Sequence, residues 1–259
     1  VTTAVESRGR ELIALHRAPE ILSVVNVWDV ISATTVAALP ETRALATASH
    51  SIAATFGYED GERIPLDLHL DMIGRICAAV DLPVSADLEA GYGAAGETVR
   101  KAIGVGVVGA NLEDQAKPLA DSLRAVEAAV RAAEAEGVPF ALNARTDVIA
   151  HAGDDLGDEV VADAIERGRA YLEAGATSVF VAGRLSDDTV VRLVQGLGRQ
   201  RISVIGLIGT QSATRFEELG VARISYGPWT QRVALTALQD TAAVLYRGGV
   251  LPEGTRRLT

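Results

Sequence analysis

Short apolar runs alternate along the whole chain with longer stretches in which apolar residues recur every three or four positions. The short runs predict eight strands, at 23–27, 44–48, 83–87, 108–112, 140–144, 178–182, 202–205 and 223–225. The longer stretches predict helices, most clearly at 65–80, 119–136, 159–174, 187–195 and 229–247. Segment 122–135 illustrates the pattern: Leu123, Val126, Ala129 and Val130 share one helical face, with Arg124, Glu127, Arg131 and Glu134 elsewhere. Gly137, Gly175 and Pro83 punctuate the passages from helix to strand. Eight strand–helix units without a compositional break predict one closed (β/α)8 TIM barrel, a single domain over 1–259. An open doubly wound sheet would use fewer strands and a GxGxxG turn after the first, which is absent.

Composition agrees with this reading. A length of 259 residues suits one α/β barrel, and 48% apolar with only 4% aromatic residues favours parallel strands covered by helices. The net charge of −10 and the lack of a basic patch argue against nucleic acid as a partner. No apolar run is long enough for a membrane span, so no membrane partner and a cytoplasmic location are expected. The single cysteine, Cys77, lies in an apolar helical pattern and is expected to be a buried small residue, not a nucleophile.

The polar chemistry gathers where strands run into their following loops, which is where barrels build their sites. The first strand exits into Asn26, Val27, Trp28 and Asp29, and the second into Ser49, His50 and Ser51, with Asp60 beyond. The third exits through Asp87 and Glu89 into a Gly91–Tyr92–Gly93 turn, the fourth into Glu113, and the fifth through Asn143 and Arg145. Asp87 and Glu89, two apart, would point to one side of a strand. Carboxylates converging on one rim repel, and a hard divalent cation resolves that conflict; an all-oxygen donor set suits Mg²⁺ or Mn²⁺. Arg145 could hold a carboxylate or phosphonyl group with two prongs, or pair with Glu113 or Asp147. Ser49 and the N–H groups of Ser49 and His50 could cradle the other end of an anion.

These motifs resemble the isocitrate lyase and phosphoenolpyruvate mutase superfamily. The similarity is carried, in the family's order, by residues 26–33, 49–61, 85–93 (Ser-Ala-Asp-Leu-Glu-Ala-Gly-Tyr-Gly), 111–114 and 143–147. The resemblance implies a barrel, Mg²⁺, and a small anionic 2-oxo acid or phosphonate that passes through a pyruvate-type enolate. It implies that Asp87 ligates the metal and that Glu89, Glu113 and Asp60 hold it through waters. It also implies that Trp28, Asp29, Ser49, His50, Gly91, Asn143 and Arg145 surround the substrate. It further implies a homodimer or homotetramer, with the last helix, 229–247, packed on or swapped with a neighbouring subunit.

The departures narrow the chemistry. Isocitrate and methylisocitrate lyases carry a Lys-Lys-Cys-Gly-His or Lys-Arg-Cys-Gly-His loop after the fourth strand; here residues 113–123 contain neither Cys nor His. Lys117 is the only cation near the position where phosphonopyruvate-handling members meet the phosphoryl group. Tyr92, Lys117 or a water is left to move the proton. The reading is a Mg²⁺-dependent lyase-type enzyme that cleaves a C–C or P–C bond beside a 2-oxo acid. Phosphonomutase or carboxyphosphonoenolpyruvate mutase chemistry, and a non-catalytic 2-oxo-acid-binding barrel, are the alternatives.

Overall fold

The computed structural model describes residues 4–153 and 156–258. Its strands are β1 (Leu22–Val24), β2 (Asn26–Val27), β3 (Leu45–Thr47), β4 (Val84–Asp87), β5 (Gly109–Glu113), β6 (Ala141–Thr146), β7 (Ser178–Val181), β8 (Ile202–Ile205) and β9 (Arg223–Ser225). All pairings are parallel, in the order β1-β9-β8-β7-β6-β5-β4-β3-β2. Each predicted strand is present, but the first is split at Val25. Its first half pairs with β9 (Leu22↔Arg223) and its second with β3 (Asn26↔Ala46), so the split strand is the seam on which the barrel closes.

The predicted helices occur at Leu66–Ala79, Leu119–Ala135, Asp158–Glu173, Asp187–Leu197 and Trp229–Tyr246. The apolar faces of the first four pack against the sheet, and Cys77 is buried there beside Ile73 and Ile76. Burial pushes its thiol up to about 12, which keeps it neutral. Helix Ala4–Arg17 covers the N-terminal end of the barrel with Leu12, Leu15 and His16. It comes so close that a side chain on Gly109 would collide with Leu12 and the Ala141 carbonyl.

Barrels usually fill their interior with branched aliphatic side chains. Here a buried polar layer crosses the middle. Asn143 donates to Asn111 Oδ1 (2.8 Å) and Ser203 Oγ (3.2 Å), and accepts from Ser178 Oγ (2.7 Å). Arg223, fully buried, donates to Ser85 Oγ at 3.2 Å. This layer is the floor of the cavity above it.

Helix Trp229–Tyr246 differs from the others. Gln231 is its buried residue, donating to the Ser51 carbonyl (3.1 Å), whereas Val233, Leu235 and Leu238 are 70%, 54% and 65% exposed. No helix among the described residues is long and apolar enough to cross a membrane.

Candidate active site

A cavity of about 370 Å³ opens at the C-terminal ends of the strands. Ser49, His50, Asp60, Asp87, Glu89, Glu113 and Arg145 all line it. The loops after β3 and β4 and the C-terminal ends of β4, β5 and β6 therefore deliver four carboxylates and one guanidinium to a single space.

Asp87 ends β4, and its carboxylate is gripped from β3. Ser49 donates to Oδ2 through its hydroxyl (2.9 Å) and its N–H (3.3 Å), and Thr47 Oγ1 accepts from the Asp87 N–H at 3.0 Å. The Ser49 N–H, expected to cradle substrate, is thus directed at Asp87. His50 Nδ1 lies 3.5 Å from Asp60 Oδ2, and Ser49 Oγ reaches Asp60 Oδ1 at 3.4 Å.

Glu89 reaches the cavity by another route than strand alternation. β4 ends at Asp87, and Glu89 takes a left-handed conformation (φ 51°), as does Tyr92 (φ 52°). Left-handed backbone in residues other than Gly is strained and is tolerated where the surroundings over-determine it. Those surroundings are a lock between two loops. The Glu62 N–H and the Tyr92 hydroxyl (3.2 Å) donate to the Glu89 carboxylate, and Tyr92 N–H donates to Glu62 Oε1 at 2.5 Å. Gly91 (φ 92°) lets the turn close, since a side chain there would meet Ala95.

Glu113 ends β5 and pairs with Arg145 Nη1 at 2.9 Å, while Arg145 Nε donates to Asp147 Oδ1 at 2.6 Å. The guanidinium also sits 5.7 Å from the centre of the Phe180 ring. Both pairings read from the sequence are present together, with the group still on the cavity wall. Burial raises Glu89 to about 7, reinforced by the charges of Asp87, Asp60 and Glu113. Burial likewise raises Glu113 to about 7, with Asp87 and Asp147 adding to it and Arg145 opposing.

Six expected site residues do not line the cavity. Asn143 lies in the layer beneath, saturated by Asn111, Ser203 and Ser178. Asp29 caps helix Val30–Ala37, accepting from Ser32 N–H at 2.7 Å, and Trp28 packs against the core outside the sheet. Gly91 shapes the turn. Tyr92 stands behind Glu89 with its hydroxyl 2.9 Å from His69 Nδ1. Lys117 is exposed and opens on a separate cleft with Asp121 and Arg124.

Asn26, read from the sequence as a strand-end residue, and Phe180, which was not singled out, also line the cavity. Asn26 Oδ1 accepts from Tyr226 N–H (2.6 Å) and Gly227 N–H (2.8 Å), joining the seam strand to the last loop. Its signal was its position at a strand end; Phe180 reads as an ordinary core residue.

Four carboxylates around one cavity, two of them lifted to about 7 by burial and mutual charge, form an oxygen donor set that fits a hard dication. Among the described residues no three His, Cys, Asp or Glu side chains close on one point.

Residues 12–246 match the family model for phosphoenolpyruvate phosphomutase. The chain belongs to that family. It is 30% identical over 215 residues to a Corynebacterium glutamicum protein named "Probable 2-methylisocitrate lyase 1", covering 74% of this chain and 70% of that one. A solved Burkholderia cenocepacia J2315 structure with a provisional phosphonomutase name is 36% identical (TM-score 0.85), covering 95% of this chain and 100% of that one. Oxaloacetate acetylhydrolase, solved with its product oxalate, is 25% identical (TM-score 0.85), covering 97% and 92%. This family member thus resembles proteins named for lyase, mutase and hydrolase activities.

Proposed function

We propose that this family member is a divalent-cation-dependent lyase acting on a small 2-oxo or 2-hydroxy acid, breaking the C–C or P–C bond next to the oxygen-bearing carbon. One observation carries the reading: Asp60, Asp87, Glu89 and Glu113 line one cavity at the C-terminal rim together with a single guanidinium, Arg145. Asp87 would hold Mg²⁺ or Mn²⁺ directly, with Glu89, Glu113 and Asp60 holding it through water. When bound, the cation supplies positive charge to the oxo and carboxylate oxygens of the substrate.

The chain's own residues do the remaining work. Arg145 binds an anionic group of the substrate, and its bonds to Glu113 and Asp147 fix the plane in which it can do so. Ser49 keeps the Asp87 carboxylate in one orientation. Tyr92, through Glu89, acts as a positioning residue. Phe180 and its apolar neighbours keep water from the reacting carbon, where the broken bond leaves its electron pair as an enolate before protonation.

Pyruvate release from oxaloacetate, methylisocitrate, dimethylmalate and phosphonopyruvate, with and without Mg²⁺, tests the proposal. Release from at least one of them, only with the cation, is expected. Stoichiometric oxalate binding with no turnover would favour the non-catalytic 2-oxo-acid-binding barrel, and conversion of phosphonopyruvate to phosphoenolpyruvate with no pyruvate released would favour mutase chemistry.

A further inference from the structure

Directly after Glu113 the chain buries a carboxylate that does not line the cavity. Asp114 is 5% exposed, and both of its oxygens are filled. Oδ1 accepts from the N–H groups of Ala116 (2.8 Å) and Asp147 (3.0 Å). Oδ2 accepts from the Tyr171 hydroxyl (2.8 Å) and from Arg167 Nη1 (3.2 Å). A carboxylate offers about four acceptor positions, so Asp114 is saturated. One of these donors belongs to its own loop; the others come from the exit of β6 and from helix Asp158–Glu173 outside the barrel. Arg167 is held in turn by Asp163 (3.0 Å from Nε) and by the Lys117 carbonyl (2.8 Å).

The loop that Asp114 anchors is strained. Gln115 and Ala116 are successive left-handed residues (φ 51° and 50°), and neither is a glycine. That conformation turns Gln115 onto both acids that grip Arg145. Its N–H donates to Asp147 Oδ2 at 3.1 Å, and its side-chain amide donates to Glu113 Oε1 at 3.2 Å. Asp114 meanwhile holds the backbone of Asp147, whose buried carboxylate accepts from Arg145 Nε at 2.6 Å. A continuous set of bonds thus runs from Arg167 and Tyr171 through Asp114 to Asp147 and Gln115, and from these to Arg145.

We propose that Arg167 and Tyr171 are positioning residues for Arg145: through Asp114 they fix the direction in which its guanidinium meets the anionic group of the substrate. This rests on the reading above that Arg145 binds such a group, and it extends the site to two residues that do not line the cavity. A two-pronged guanidinium contact depends on angle as well as charge. Loosening the strut therefore weakens substrate binding while every charge in the cavity stays in place.

The test is calorimetric oxalate binding with Mg²⁺ present in Tyr171→Phe and Arg167→Met, each alone and combined with Arg145→Lys, with Mg²⁺ affinity and Tm measured alongside. Each single variant should bind oxalate about three- to tenfold more weakly and bind Mg²⁺ within about twofold of wild type. On the Arg145→Lys background the same changes should cost less than about twofold, because the group they direct is gone. Tyr171→Phe removes one hydroxyl and no charge, so it carries the test even where Arg167→Met does not fold. A lowered Tm with unchanged oxalate affinity, or a full loss that persists beside Arg145→Lys, would make the strut a fold element alone. Either result would overturn the inference and leave the reading of Arg145 standing. No oxalate binding by wild type, or full affinity in Arg145→Lys, would overturn both.

Discussion

Arg145 Nη1 lies 2.9 Å from Glu113 Oε2, across the pairing of β5 with β6 in which Glu113 and Arg145 are register partners. The bond therefore follows from backbone register, and the guanidinium cannot turn fully to a ligand without Glu113 and Asp147 adjusting. Arg145→Lys keeps the charge but loses the two-pronged contact. Oxalate affinity with Mg²⁺ should fall about ten- to hundredfold, the scale of one lost charged hydrogen bond. An unchanged affinity would reduce Arg145 to a structural ion pair.

Asp87→Ala should weaken Mg²⁺ binding at least about tenfold and abolish turnover while leaving the fold intact. Asp87 is a half-buried rim residue, and its loss also relieves the repulsion felt by Glu89 and Glu113. Equal cation affinity in the two proteins, titrated by calorimetry, would remove Asp87 from the site.

Cys77→Ala should keep most activity, because the thiol is buried in the helix wall and neutral at ordinary pH. Thiol reagents should label the native protein only after unfolding. A thousandfold loss of kcat in a folded variant would show a catalytic role.

His16 makes the fold acid-sensitive. Burial, and secondarily the nearby Arg223, lowers its pKa from 6.5 to about 3, while its ring Nδ1 lies 2.8 Å from the Leu12 carbonyl. The unfolded chain takes up this proton below pH 6.5 and the native chain only near pH 3. The stability it contributes is therefore complete above pH 6.5 and is lost as pH falls toward 3. Glu89 and Glu113, raised to about 7, act in the opposite direction between pH 7 and 4.5. The comparison that isolates His16 is wild type against His16→Gln by denaturant unfolding. Wild type should lose about 2 kcal/mol relative to the variant between pH 7 and pH 5. Parallel pH profiles would refute the assignment.

The exposed Val233, Leu235, Leu238, Val244 and Leu245 on helix Trp229–Tyr246 are expected to pack on a second copy of this chain. Light scattering should give a dimer or tetramer, and Leu238→Glu should shift it toward monomer. A monomer at micromolar wild-type concentration would contradict this.

Period and punctuation determined the strand–helix alternation and therefore the barrel, because side chains repeating every two or about three and a half positions can bury one face only in those elements. The strand ends 87, 113 and 145 were legible for the same reason, since polar residues closing apolar strands fall on one rim. What tertiary structure alone decided was which neighbours share a space. Asn143 and Arg145 are two apart on β6, yet one is saturated by the interior layer and the other faces the cavity. Tyr92 and Lys117 had suitable chemistry but not the direction. Glu89 reaches the cavity through a left-handed turn held by Glu62, a residue 27 positions away. Phe180 on β7 and Leu207 just past β8 look like any apolar residues until closure of the barrel brings them into the cavity that the carboxylates line. Such relations depend on how β1 and β2 divide at Val25 to close the sheet, a packing outcome that no local pattern encodes.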